Sequence, residues 1–180
     1  MSKIIFREVQ KVRQWWIWAI VGLLVLGYGF IIFERLVISS PFEPHVISIY
    51  NVFALGGIPL VIFIFTFTMK LITEICDDGI YYKFFPFMLR YHFIPWNEIE
   101  KVYMREYHPI SDYGGWGIRF GSSHGKAFNV SGNWGLQIEL KNGKKVLFGT
   151  QKRASMENVI IAIKEKTGIK NFEMYDKSGL

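Results

Sequence analysis

The sequence predicts a protein in two parts: an N-terminal hairpin of two transmembrane helices, then a mainly β domain that ends in an α-helix. Three observations lead to this fold class. Two long uncharged runs precede Lys70, apolar residues alternate with polar ones after it, and one segment near the C-terminus has helical spacing. We therefore expect residues 1–69 to form an N-terminal arm and the hairpin, and residues 70–180 to form a cytoplasmic β domain.

The first uncharged run spans residues 15–33. At ~1.5 Å of rise per residue it would extend roughly 28 Å, close to the ~30 Å hydrocarbon core of a bilayer. Trp15, Trp16 and Trp18 lie at its N-terminal end, where indole rings favour the headgroup region. A cleaved signal peptide would have a shorter apolar run and a small-residue cleavage site, so we expect an uncleaved span.

The second uncharged run spans residues 46–69 and carries Gly56, Gly57 and Pro59 near its middle. Proline lacks a backbone donor and clashes with the preceding helical turn, so a kink is predicted there. The small residues also favour close packing of two helices. Neither run contains an ionisable residue, so the sequence lends no support to a transport pathway.

The charges that flank the two runs predict their orientation. The arm before the first run has four basic residues and one acidic residue, and Lys70 follows the second run. The link between the runs has one arginine and two acidic residues. Because basic flanks remain on the cytoplasmic side, we expect both termini in the cytoplasm and a multi-pass protein of the cell membrane, in contact with the lipid bilayer.

The chain after Lys70 has the two-residue period of β-strands. The clearest hairpin is centred on Asn142-Gly143, which follows an alternating strand that ends at Leu140. Glycine or proline separates most of the other candidates, and this many short strands are typical of an antiparallel barrel or sandwich. The predicted strands are 71–76, 80–84, 90–94, 99–107, 116–120, 127–130, 136–140 and 145–150.

One amphipathic helix is predicted after the strands. Ser155 is a suitable N-cap, because its hydroxyl accepts a hydrogen bond from the first turn. Met156, Val159, Ile160 and Ile163 recur at the spacing of a buried helical stripe. We expect this helix to close an open end of the β domain.

The motif Ile94-Pro95-Trp96, followed by Ile99 and Val102, resembles the "iPW-x-x-I-x-x-V" signature of bacterial pleckstrin-homology (PH)-like domains. The Gly143 hairpin and the closing helix are similar to that family in order and spacing. The resemblance covers roughly residues 71–167 and implies about seven antiparallel strands in two near-orthogonal sheets, capped by the C-terminal helix. Members of the family often carry one or two N-terminal membrane helices.

The sequence has no pattern typical of an enzyme active site, a cofactor site or a metal site, so we expect a non-enzymatic protein. Cys76 is the only cysteine, and the four histidines lack ligand spacing. Gly121–Ala127 resembles a phosphate-binding loop, but it is one residue short and has alanine where magnesium needs a hydroxyl. No basic stripe indicates nucleic-acid binding, and no small-molecule substrate is identified.

The leading functional hypothesis is a membrane-tethered module that binds a protein partner or assembles with its own copies. The alternatives are an auxiliary subunit or small oligomeric channel, and a domain that senses anionic lipid. The acidic Asp77-Asp78 turn argues against a phosphoinositide site at the first hairpin of the domain. Candidate contacts with anionic lipid are Lys83, Arg90, Lys126, Lys144 and Lys145.

Overall fold

The computed structural model describes residues 2–12, 15–34, 37, 49–121, 124–167 and 172–175, with the backbone alone at 16, 49–56, 59, 166–167 and 172–175. The chain forms two compact units. One unit contains residues 1–12 together with 69–180, and the other contains residues 13–68. In sequence, the second unit is therefore an insertion within the first.

The larger unit is built from two β-sheets. The first sheet has the order β1-β2-β3-β4, with β1 at Ile4–Lys11, β2 at Lys70–Cys76, β3 at Gly79–Phe85 and β4 at His92–Pro95. The second has the order β10-β5-β8-β9-β7-β6, with β5 at Ile99–Glu106, β6 at Gly117–Gly121, β7 at Gly125–Asn129, β8 at Trp134–Leu140, β9 at Lys145–Thr150 and β10 at Phe172–Tyr175. Described neighbours pair antiparallel except β7 with β9 and β10 with β5, which are parallel.

Four helices complete the described part of the chain. Helices α1 (Trp15–Phe33) and α2 (Ile49–Thr68) belong to the smaller unit, whereas α3 (Pro109–Tyr113) and α4 (Arg153–Thr167) belong to the β unit. A 3₁₀ turn, Trp96–Glu98, joins β4 to β5. A mainly β domain with two sheets and a C-terminal helix is confirmed.

The core of the β unit lies between the sheets and under α4. Met156, Ile160 and Ile163 of α4 are buried against it, which confirms the stripe predicted from their spacing. The helix begins at Arg153, two residues before the predicted cap, and the amide of Met156 donates to the carbonyl of Lys152 at 3.0 Å.

The predicted hairpin between β8 and β9 is confirmed, with a four-residue connection rather than a two-residue turn. The amide of Gly143 donates to the carbonyl of Leu140 at 2.8 Å, and the amide of Lys144 donates to Oδ1 of Asn142 at 3.0 Å. Among the described residues, left-handed φ values occur only at glycines, and Gly143 has φ +78°. The glycine therefore supplies the reversal of direction that lets Lys145 begin the return strand.

The predicted N-terminal arm is wrong, because residues 4–11 form strand β1 of the first sheet. β1 pairs antiparallel with β2, and Lys11 lies opposite Lys70. Sequence pattern missed the strand because each of its faces mixes polar and apolar residues: Glu8 and Gln10 are buried with Phe6, whereas Val9 is 44% exposed. A half-buried strand is recognised by apolar residues on one face and polar residues on the other, and β1 lacks that separation.

The prediction that residues 15–33 and 46–69 each span a membrane is wrong. Both runs form helices, α1 and α2, but among the residues that the structure describes no helix combines the length and hydropathy that crossing a bilayer requires. The multi-pass cell-membrane location with both termini cytoplasmic, which depended on these spans, is wrong with them.

Helices α1 and α2 pack through aromatic rings. Trp18 meets Phe63 and Phe67 edge to face, with ring centroids 6.2 Å apart in both cases. The helical backbone continues through the positions of Gly56, Gly57 and Pro59, and only the backbone is described at Gly56 and Pro59. A Cβ atom at Gly57 would meet no atom within 4 Å, so this glycine does not mediate a close helix contact among the described residues.

Candidate ligand-binding groove

A groove of about 620 Å³ opens between the two sheets. Strands β3 and β4 of the first sheet form one wall, and β6, β7 and the β8–β9 hairpin form the other. β4 and β6 are the outermost described strands of their sheets, so the groove lies where the two sheets are not joined by strand pairing. Its volume falls within the range of small-ligand sites, ~300–1,000 Å³.

The floor of the groove is apolar. Ile94, Leu140 and Val146 belong to the hydrophobic core, yet each keeps 6–9% of its surface exposed where it borders the groove. Tyr82 packs its ring against Phe128 and Phe148, with centroids 4.9 and 4.8 Å away. Burial raises the pKa of the Tyr82 phenol above its usual value, which keeps the hydroxyl neutral.

Phe120 lies at the mouth of the groove. This residue is on β6, and its side chain is 76% exposed although it borders an apolar floor. The ammonium of Lys126 lies 5.3 Å from the centre of the Phe120 ring and 4.7 Å from that of Phe128. These cation–π contacts hold a positive charge directly over the apolar part of the groove.

Three lysines line the groove: Lys126, Lys144 and Lys145. The ammonium of Lys145 lies 3.0 Å from Oε1 of Glu139, so its charge is paired. Lys144 is exposed on the β8–β9 connection, and among the described residues neither Lys144 nor Lys126 forms a salt bridge. Because no lining residue is acidic, the groove presents a positive potential to a ligand.

Glycines shape the second wall. Gly125 has φ +74°, and a Cβ atom there would overlap the carbonyl oxygen of Lys145 on the neighbouring strand. Gly121 would place a Cβ atom 2.8 Å from the carbonyl oxygen of Asp112. The absence of side chains at these two positions lets β6 lie close to α3 and lets β7 lie close to β9.

The opposite face of the second sheet holds a separate polar and aromatic cluster under α3. Arg105 pairs with Asp112 at 2.8 Å, and Tyr107 and Tyr113 are buried beside them. Burial opposes the ionisation of Asp112, but hydrogen bonds from His108 and Ser111 and the charges of Arg105 and His124 outweigh it and lower the pKa. Burial raises the pKa of Tyr113 to about 12. The buried rings and the ion pair indicate that this cluster anchors the 107–116 connection.

The family to which the protein belongs follows from a match along nearly its whole length. The model of the family described as "Family of unknown function (DUF6141)" matches residues 1–165. The chain belongs to the DUF6141 family. No curated protein and no solved structure matches it. The DUF6141 description does not mention a PH-like domain, so that resemblance stays a prediction.

The predicted lipid contacts of this DUF6141 protein divide into two groups. Lys126, Lys144 and Lys145 meet at the groove, whereas Lys83 and Arg90 are not among its lining residues. The ammonium of Lys83 lies 5.7 Å from the ring centre of Tyr91, and Arg90 is exposed on the β3–β4 connection. The sequence identified the lysines, but it did not show that Tyr82 and Ile94 lie beside them, because those residues are 44 and 32 positions from Lys126.

The residues that resemble the PH-like signature hold β4 and β5 in place. The indole of Trp96 donates to the carbonyl of Cys76 at 3.0 Å, and its backbone amide donates to the carbonyl of Asp78 at 3.2 Å. Pro95 ends β4, and Ile99 is buried in the core at the start of β5. These three residues therefore fix the turn from one sheet to the other, while Gly143 contributes to the groove itself.

The part of the chain that the structure describes contains no cluster of potential metal ligands. No group of three His, Cys, Asp or Glu residues is placed to hold a metal ion among those residues. Cys76 is buried, and burial together with the nearby carboxylates of Asp78 and Glu74 raises the pKa of its thiol. A protonated thiol is a weak nucleophile, so Cys76 does not carry the features of a reactive cysteine.

Proposed function

We propose that this DUF6141 protein is a non-enzymatic binding module, and that the groove between its sheets is the binding site. The observation that carries the proposal is that apolar residues and three lysines line the same cavity of about 620 Å³. Ligand sites are commonly concave, mostly apolar and lined by a few placed polar groups, and this groove has all three properties.

A titration with a neutral aromatic alcohol tests whether the groove accepts a ligand. In full-length protein with labelled methyl groups, we expect the alcohol to shift the resonances of Ile94, Leu140 and Val146. The methyl groups of Leu71 and Ile75, which are fully buried in the core, serve as the control and should not move. Equal shifts at both sets of methyl groups, or none at the groove, would contradict the proposal.

A second candidate function is the binding of a protein partner or of a second copy, which the sequence favoured. One observation supports it: large apolar side chains are exposed on and beside β4, namely Phe87 at 59%, Leu89 at 69% and Phe93 at 43%. Exposed apolar patches on a folded domain often mark protein contacts. Chemical crosslinking of the wild type and of a Phe87→Ser, Leu89→Ser double variant tests it, and identical patterns would argue against this surface.

A further inference from the structure

We propose that the ligand of the groove is a single-chain anionic amphiphile. Its carboxylate or phosphate-monoester head would lie beside Lys126 and Lys144, and its apolar chain would lie on Ile94, Leu140 and Val146. This inference rests on the proposed binding function and names the chemical class of the ligand.

The two lysines account for the anionic head. The ammonium of Lys126 is held by the rings of Phe120 and Phe128 rather than by a carboxylate. A cation–π contact leaves the charge in place and N–H groups available, so an anion can accept hydrogen bonds from it. Lys144 adds a second exposed ammonium on the same rim, whereas Lys145 already binds Glu139 and contributes less.

The floor accounts for the apolar chain. A small polar anion such as inorganic phosphate would satisfy the lysines but would leave in water the exposed 6–9% of Ile94, Leu140 and Val146. Placing methylene groups there removes apolar surface from water, which favours binding by ~0.8 kcal/mol for each buried CH₂ group. The exposed ring of Phe120 extends this apolar surface to the mouth of the groove.

Photolabelling of the full-length protein tests the ligand class. The probes are a straight-chain carboxylate with a photoreactive group in its chain, the phosphate monoester with the same chain, and the matching alcohol. The apolar helices α1 and α2 are expected to take up some of every probe, so the readout is the label on peptides that contain Ile94, Leu140 or Val146. An excess of unlabelled carboxylate shows whether that labelling saturates.

We expect both anionic probes to label the groove peptides more strongly than the alcohol does. Lys126→Gln removes one charge-assisted hydrogen bond and should weaken the labelling affinity about tenfold. Lys101→Gln is the matched control, because the Lys101 ammonium also lies over an aromatic ring, 4.9 Å from the centre of Tyr103, but does not line the groove. Unchanged melting temperatures would show that both variants are folded.

The outcomes separate the ligand class from the binding function. Equal labelling by the alcohol, with no effect of Lys126→Gln, would overturn the anionic class and leave the groove as a binding site. An absence of label on all groove peptides would overturn both proposals. Saturable labelling by the anionic probes that weakens in Lys126→Gln, but not in Lys101→Gln, would support both.

Discussion

Glu8 is a buried carboxylate that fastens β1 to the end of β9. Its Oε2 accepts a hydrogen bond from the Thr150 hydroxyl at 2.7 Å, and its Oε1 accepts one from the backbone amide of Gln151 at 2.7 Å. Two residues further along, the side-chain amide of Gln10 donates to the carbonyl of Gly149. These polar contacts replace the apolar packing that an inward-facing strand residue usually provides.

The substitution Glu8→Ala should destabilise the β unit by roughly 2–4 kcal/mol, because it leaves the buried hydroxyl of Thr150 and the partly buried amide of Gln151 without an acceptor. Glu8→Gln should cost less, since its carbonyl oxygen keeps one of the two bonds. Denaturant unfolding followed by the fluorescence of the tryptophans measures both. Val9→Thr, on the exposed side of the same strand, is the control, and a loss there as large as in Glu8→Ala would contradict the assignment.

The buried tyrosines predict a loss of stability at alkaline pH. Burial raises the pKa of Tyr113 to about 12 and also raises that of Tyr107, whereas tyrosines in the unfolded chain lose their protons near pH 10. Above pH 10 the unfolded state therefore binds fewer protons than the folded state, and the free energy of unfolding falls as pH rises towards 12. The contribution of these tyrosines is fully present below pH 10.

Chemical unfolding at a series of pH values tests this prediction. Tyr113→Phe should flatten the decline between pH 10 and pH 12, because phenylalanine has no proton to lose. Below pH 10 the wild type and the variant should run parallel, which provides the internal control. A decline of the same slope in both proteins would show that Tyr113 does not contribute.

Among the elements, the parallel pair β7–β9 depends on a glycine. Gly125 lies in the left-handed region, and any Cβ atom there would overlap the Lys145 carbonyl oxygen of β9. β7 and β9 are parallel, so they are joined by a crossover that includes β8 rather than by a tight turn. Close approach at Gly125 is therefore a requirement of the pairing between β7 and β9.

Gly125→Ala should lower the free energy of unfolding by about 2 kcal/mol or more, from the left-handed backbone and the overlap with β9. Gly143→Asn is the matched variant, because Gly143 has a similar φ of +78° but no atom within 4 Å of an added Cβ. Asparagine tolerates that backbone region, so we expect a loss below about 1 kcal/mol. Thermal unfolding compares the two, and equal losses would show that the overlap is relieved.

At the scale of the whole molecule, the strands on both sides of the inserted residues 13–68 belong to the β unit. β1 precedes residues 13–68 and β2 follows them, and the two strands pair antiparallel up to Lys11 and Lys70. One more step in the same register brings Val12 opposite Met69. A two-residue turn is therefore long enough to join the strands directly.

We expect a protein in which Asn-Gly replaces residues 13–68 to fold with the β unit intact. A protein of residues 70–180 alone should be unfolded or much less stable, because it lacks β1 and leaves the bonding groups of Thr150 and Gln151 without Glu8. Dispersion of amide resonances and cooperative melting distinguish the two. Equal stability would show that β1 is dispensable.

Patterns among residues close together in the sequence were sufficient to predict part of the fold and part of the candidate site. The β8–β9 hairpin is encoded by Asn142 and Gly143, and the buried stripe of α4 by residues three or four positions apart. The lysines of the groove were recognised as candidate anion contacts from their charge alone. Each of these features depends on local backbone preference or on side-chain chemistry, which the sequence states directly.

The sequence by itself determined the mainly β character of the domain, its closing helix and the helical state of the runs that became α1 and α2, whereas the two sheets were implied by the PH-like resemblance. Only the tertiary structure decided that β1 belongs to the β unit, that Lys145 is paired with Glu139, and that Lys126 and Lys144 meet the floor residues Ile94 and Leu140. Glu8 and Thr150 are 142 positions apart, and β1 buries Glu8 and Gln10 beside Phe6 while it exposes Val9. Contacts at that separation depend on how the whole chain packs, so no local periodicity records them.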